Sequence, residues 1–210
     1  MRIERIRAQI ERGKITEQQT GVLQHAVVNL ARLNDVIVSR PELEKAIDFV
    51  NEDIEHAPAL MMIIEEAAAA NGAQPDIQPI LDATENYFLA PDDIIPDRYG
   101  LVGLLDDAYL IHSLMEVISD RFKSQTGKSL LPFEAHEMNT FIRRLIGEPF
   151  VGLLDARVST TLDSLGGDRE IDRMLAVLAQ MELSSAPDPI WGNTPVAEIA
   201  GARIDAIAGF

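Results

Sequence analysis

The chain contains no cysteine. That excludes a disulfide framework, a thiolate metal site and a cysteine nucleophile. Aromatic residues make up only 5% of it, with a single tryptophan at position 191. Leu, Ile, Val, Ala and Met must therefore fill the core, and a hydrophobic share of 47% is enough for one. No apolar run reaches the roughly 18 to 20 residues that a spanning helix needs. The nearest, 99–118, is interrupted by Asp106, Asp107, His112 and Glu116. The opening MRIERIRAQIERGK lacks the apolar stretch of a signal peptide, so a soluble cytoplasmic protein is expected. Also missing are a glycine-rich phosphate loop, a serine nucleophile elbow and a dinucleotide fingerprint.

Positive charge is nearly absent from the middle of the chain. Residues 51–120 hold one cation, Arg98, against fifteen acids, which supplies fourteen of the sixteen net negative charges. Such a field disfavours nucleic acid and anionic lipid as direct ligands of that surface. It suits solvent, a basic partner or a cation.

What is present is helical periodicity. Ile3, Ile6 and Ile10 recur at helical spacing ahead of Gly13, which reads as a stop. Thr16 with Gln19 resembles a capping box, followed by an apolar stripe from Val22 to Ile37. Ser39 with Glu42 forms a second box, with Pro41 in the first turn. Pro58 then reads as the start of a new helix that closes at Asn71-Gly72. Asp76 opens another, with Pro79 in its first turn and Ile77, Ile80, Leu81, Thr84 and Phe88 inward. A long helix is expected over about 98–123, then helices at about 133–146, 149–165 and 168–183. No strand alternation is visible. The fold expected is all-α, a single helical bundle of about eight or nine helices with short loops, over residues 1–184. Residues 185–210 read as a C-terminal arm containing prolines and Trp191, with a short amphipathic segment. VGLLD occurs twice, at 102–106 and 151–155, a hint of a duplicated helix pair.

The densest feature is YFLAPDDIIPDRYGLVGLLDDAYL, 87–110, with five aspartates in a proline-punctuated turn and the helix after it. Pro91, Asp93, Ile95, Pro96, Asp97, Gly103, Asp106 and Asp107 match the pattern SP-x-D-x-IPD-x-IP-x-x-G-x-x-DD. On these residues the stretch resembles the YkvA-like family, a bacterial domain of unknown function. Ala90 replaces the usual serine, and Tyr99-Gly100 the usual Ile-Pro. The resemblance spans about residues 80–120 and implies a small helical domain without an assigned reaction.

On a helical wheel with Leu104 at the origin, Asp106 falls at about 200°, with Ser113, Glu116 and Asp120, and is expected to face water. Asp107 falls at about 300°, among Leu114 and Ile118, and is expected to face the core. His112 lies on the apolar edge. A buried carboxylate must be paired, hydrogen-bonded or protonated. Asp107 has three candidate partners: Arg98, the backbone N–H groups of the 91–97 turn, or a cation shared with Asp93 or Asp97. In the structural reading, Asp93 and Asp97 are N-caps and Asp107 staples the turn to the helix. In the functional reading, Asp93, Asp97 and Asp107, with His112 as a further candidate, hold a hard divalent cation such as Mg²⁺ or Mn²⁺.

His112 and Glu116 sit four apart and could pair or ligate. Glu134, His136 and Glu137 cluster near a helix start, where acids favour the dipole. Trp191 is a candidate partner-docking residue. The basic residues Arg2, Arg5, Arg7 and Arg12 allow a membrane-surface contact, with packing on the bundle the stronger expectation. The sequence thus favours a non-enzymatic interaction or assembly component, acting with a protein partner or as a homo-oligomer and without a cofactor. A metal-dependent enzyme and a membrane-surface accessory protein are the alternatives.

Overall fold

The computed structural model describes residues 2–70, 72–90, 93–127 and 136–179. Within them lie eight α-helices and no strand. They are α1 Arg2–Thr20, α2 Val22–Leu33, α3 Arg40–Ala70, α4 Gln74–Phe88, α5 Leu101–Thr126, α6 His136–Ile146, α7 Phe150–Ser164 and α8 Gly167–Leu178. A 3-10 turn, Asp97–Tyr99, precedes α5. The all-α bundle is as expected. The arm from 185, Trp191 included, and the side chains of Glu134, His136 and Glu137 lie outside the described residues.

Several boundaries differ from the sequence expectation. Helix α1 runs through Gly13, because that residue is where α1 presses on α5. A Cβ on Gly13 would meet Leu104 Cδ1 at 2.5 Å. Thr16 caps nothing and returns its hydroxyl to the Arg12 carbonyl at 3.0 Å. The chain breaks instead at Gly21, and Glu17 supplies the cap of α2, accepting from the N–H of Leu23 at 2.9 Å and of Gln24 at 3.1 Å. The second box holds: Glu42 Oε2 accepts from the Ser39 N–H at 2.8 Å.

Pro58 lies inside α3 rather than at a helix start. An internal proline costs about 3 kcal/mol in a lost hydrogen bond and a clash. The apolar stripe crosses it without a gap: Ile54, Ala57, Leu60 and Met61 are all buried. At roughly 2 kcal/mol for each large side chain, that packing outweighs the break. Pro79 likewise falls inside α4, which starts at Gln74 with Pro75 in its first turn.

Helix α5 is the axis of the bundle. Every residue from Gly103 to Met115 is buried, and each of the other seven helices packs against it. This overturns the wheel reading of Asp106. A helix with neighbours on all sides has no solvent face there, so Asp106 is as buried as Asp107, both at 0% exposure. The polar side appears only further along, at Glu116 and Asp120. Ile6 and Ile10 of α1 are also in the core, so the apolar face of the basic N-terminal helix is already covered. Among the described residues, no helix is long and apolar enough to cross a membrane.

Candidate metal centre

The Asp-Pro turn is shaped by its backbone. Pro96 O accepts from the Tyr99 N–H at 3.0 Å, and Asp97 O from the Gly100 N–H at 2.9 Å. The chain then enters α5 through Gly100 at φ 70°, ψ −131°, a conformation that glycine alone adopts cheaply. Gly103 lets the turn fold back onto α5. A Cβ there would stand 2.6 Å from Pro96 O and 2.8 Å from Asp97 Cα.

This close return places four carboxyl groups at one end of α5. Asp106 is the staple: its Oδ2 accepts from the Ile95 N–H at 3.0 Å and from the Tyr87 hydroxyl at 3.3 Å. The turn's backbone thus serves Asp106 and not Asp107. Burial, then the charge of Asp93, pushes the Asp106 carboxyl up to about 8, against the downward pull of the Ile95 and Tyr87 hydrogen bonds. Burial likewise raises the Tyr87 hydroxyl, with the nearby carboxylates adding to it.

Asp107 is fully buried, and neither of its oxygens accepts a hydrogen bond. Its carboxyl is raised by burial first, then by the charges of Asp106, Asp93 and Asp97, and by a carboxyl–carboxyl hydrogen bond with Asp93 that forms when one of the two is protonated. Arg98, the cation considered as its partner, instead has its guanidinium 5.0 Å from the centre of the Tyr99 ring. Asp93 and Asp97 are half-buried, and one oxygen from each lies within 4.8 Å of the others and of an Asp107 oxygen. Asp97 also accepts from the Gln9 amide, which α1 brings across.

The capping role expected of these aspartates is not what the chain uses. Asp97 is the first residue of the 3-10 turn, whose cap is Pro96, and the cap of α5 is Gly100. Neither makes a side-chain cap bond. Asp93 lies in the bend before them.

His112 is not part of this group. It points to α3, with Nδ1 3.1 Å from Asp53 Oδ1 and Nε2 3.1 Å from His56 Nδ1. All three side chains are buried. The two rings can share one hydrogen bond between His56 Nδ1 and His112 Nε2, whereas His112 Nδ1 and both Asp53 oxygens are close without a hydrogen bond. Burial and His112 hold the His56 imidazole down at about 3, so it stays neutral. Glu116 does not engage His112 and accepts from the Asn139 amide at 2.6 Å.

Sequence reasoning missed Gln9, Tyr87 and the Asp53–His112–His56 group. Gln9 and Asp53 carry no local signal, since their partners lie 88 and 59 positions away. Asp106 did leave one: LVGLLDDAYLIHSLM is apolar nearly all round, which marks a fully enclosed helix.

The repeated VGLLD ends on aspartates in different settings. Asp155 is partly exposed and takes a two-pronged ion pair from Arg143, at 2.6 and 2.9 Å, and the Tyr109 hydroxyl at 2.8 Å. The Arg143 hydrogen bond is the main cause that lowers its carboxyl.

No curated protein and no solved structure matches this chain. The segment that does match a family model is the one that builds the site. Residues 86–112, from the end of α4 through the Asp-Pro turn to the middle of α5, match the family described as a protein of unknown function (DUF1232).

Proposed function

We propose that this YkvA-like protein binds a hard divalent cation, Mg²⁺ or Mn²⁺, through Asp93, Asp97 and Asp107. The observation that carries this is Asp107: a fully buried carboxyl with no N–H or hydroxyl donor, set among two further carboxyls within 4.8 Å, one of which, Asp93, can share a proton with it. A proton or a cation are the two ways to relieve such a group. Three aspartate oxygens suit Mg²⁺ or Mn²⁺, with water or ligand oxygens completing the shell. Asp107 would form the innermost wall of the site, and the enclosed oxygens of Asp93 and Asp97 would hold the cation beneath the turn. There the cation would neutralise the buried carboxylates and tie the turn to α5.

The test is a thermal melt of EDTA-treated protein, followed by circular dichroism, with Mg²⁺ or Mn²⁺ added. At a hundredfold excess over Kd the cation stabilises by about 2.7 kcal/mol. For a chain of this size that is a rise in Tm of roughly 5 to 10 °C. Asp107→Asn should abolish the rise while keeping the helical signal. Identical melts with and without either metal would overturn the proposal.

The interaction reading rests on a different observation. Leu33 and Ile37, at the α2–α3 connection, are 82% and 90% exposed. Two such aliphatic side chains on one loop suit a contact between copies of the chain. Sedimentation velocity over a hundredfold concentration range tests it. A monomer throughout would rule out the homo-oligomer, and a dimer lost in Leu33→Ser/Ile37→Ser would support it.

A further inference from the structure

The carboxylate group is not built by the Asp-Pro segment alone, because α1 crosses it. Two glycines set how closely. A Cβ on Gly13 would meet Leu104 Cδ1 at 2.5 Å, and a Cβ on Gly100 would meet the Gly13 carbonyl oxygen at 3.1 Å. With no side chain at either position, α1 sits directly on the turn. Gln9 lies four residues before Gly13 and therefore on the same face, one turn along. There its amide Nε2 donates to Asp97 Oδ2.

The orientation of that amide is fixed from both ends. Arg12 donates from Nη2 to Gln9 Oε1. A guanidinium has only donors and a carboxylate only acceptors, so the oxygen of Gln9 faces Arg12 and its NH₂ faces Asp97. Exchanging the two would set donor against donor and acceptor against acceptor. Arg12 is exposed and Gln9 half-buried, so the positive charge stays outside and a neutral donor reaches the carboxylate. A lysine in the place of Gln9 would neutralise Asp97 and stand in for a cation. An amide occupies one oxygen and leaves the negative charge in place.

We infer that Gln9 sets the selectivity of the cation site: by holding Asp97 Oδ2 it restricts Asp97 to one-oxygen coordination through Oδ1, and so favours Mg²⁺ over Ca²⁺. This rests on the cation reading above. Asp97 Oδ1 is enclosed, as are both oxygens of Asp93 and of Asp107. Mg²⁺ demands a near-octahedral shell at about 2.0 to 2.1 Å. Ca²⁺ takes roughly six to eight oxygens at about 2.3 to 2.6 Å, and carboxylates that give both oxygens help it reach that number. An aspartate with one oxygen already accepting from an amide does not supply both. Gln9 does not touch the cation; it is a positioning residue that acts through Asp97. Removing an outer partner of this kind changes metal affinity by about 10- to 100-fold.

The test is isothermal titration of Mg²⁺ and of Ca²⁺ into the EDTA-treated full chain, as wild type and as Gln9→Met. Methionine matches glutamine in length and has no N–H donor. The expected result is a wild type that binds Mg²⁺ more tightly than Ca²⁺, and a variant whose affinity ratio has moved toward Ca²⁺ by about tenfold or more. Gln9→Ala removes the donor without adding a new side chain and should move the ratio the same way. Weaker Mg²⁺ binding with an unchanged ratio would mean that Gln9 only supports the fold, and overturns the inference. A wild type that binds Ca²⁺ as tightly as Mg²⁺ also overturns it, while the cation reading stands. If neither ion binds the wild type, both fall. Gln9→Lys places an ammonium on Asp97 and should weaken Mg²⁺ binding by about tenfold or more. Unchanged Mg²⁺ affinity there would overturn the contact on which the inference stands.

Discussion

The carbonyl oxygen of Pro96 stands 2.6 Å from the place where Gly103 would carry a Cβ. No side chain can occupy that space, and the obstacle is backbone, which cannot rotate away. Gly103→Ala must push the Asp-Pro turn off α5. Overpacking of this kind costs typically 1 to 3 kcal/mol, more than alanine's helix preference of about 1 kcal/mol returns at the upper end. Urea denaturation should show a net loss. The same shift should separate Asp97 from Asp107, so any Mn²⁺-induced rise in Tm should disappear with it. A variant as stable as wild type, with intact metal response, would mean that the turn tolerates displacement.

Asp106 predicts a contrast between two substitutions. Asp106→Ala leaves the Ile95 N–H and the Tyr87 hydroxyl buried without their acceptor. Orphaned groups of this kind cost about 1 to 3 kcal/mol each. Asp106→Asn keeps an acceptor oxygen in the same place and removes the buried acid. In denaturant melts at pH 7 the alanine variant should be clearly destabilised and the asparagine variant close to wild type. Equal losses would show that the negative charge, and not the acceptor, matters.

The buried His56 predicts a pH dependence. Its unfolded value is near 6.5 and its folded value is about 3. Between those limits the unfolded chain binds a proton that the native fold refuses. Its contribution is therefore fully present above about pH 6.5 and is lost progressively as pH falls toward 3. From pH 6.5 to 5 the loss is on the order of 2 kcal/mol, at about 1.4 kcal/mol per unit. His56→Gln should flatten that part of the profile, measured as the difference in urea midpoint between pH 7 and pH 5. A variant with the wild-type slope would place the titration elsewhere.

Arg143 and Asp155 predict a coupling. The two-pronged geometry is favourable, but the side chains are 40% and 45% exposed, so solvent screens the pair. A double-mutant cycle with Arg143→Ala and Asp155→Ala should give a coupling of roughly 1 kcal/mol, part of it running through the Tyr109 hydroxyl that both residues touch. Arg143→Lys should recover less than half. Additive losses would show that the contact contributes nothing beyond packing.

The helices themselves were legible because apolar residues recur at helical spacing, and Ile77, Ile80, Leu81, Thr84 and Phe88 are buried as their spacing indicated. Boundaries failed where tertiary packing overrode a local stop signal, at Gly13 and Pro58. The burial of Asp107 followed from its place on the wheel. That of Asp106 did not, because a wheel assumes a solvent side, and the number of neighbours around a helix is a property of the whole fold. The gathering of Asp93, Asp97 and Asp107 depends on the turn folding back against Gly103. A spacing that matches no standard ligand motif could not announce it.

The enclosure of α5 has a consequence for how the molecule can come apart. With seven helices leaning on one central rod, none of them can leave without exposing part of it, and the rod cannot leave at all while they remain. Opening of the 103–115 segment is therefore equivalent to loss of the whole native state. Its amides should exchange with solvent only through that event, at the slowest rate in the protein, while α2 and α8 at the periphery exchange through smaller excursions. Any ligand held at the N-terminal end of α5 would then slow exchange throughout the core rather than at the turn alone.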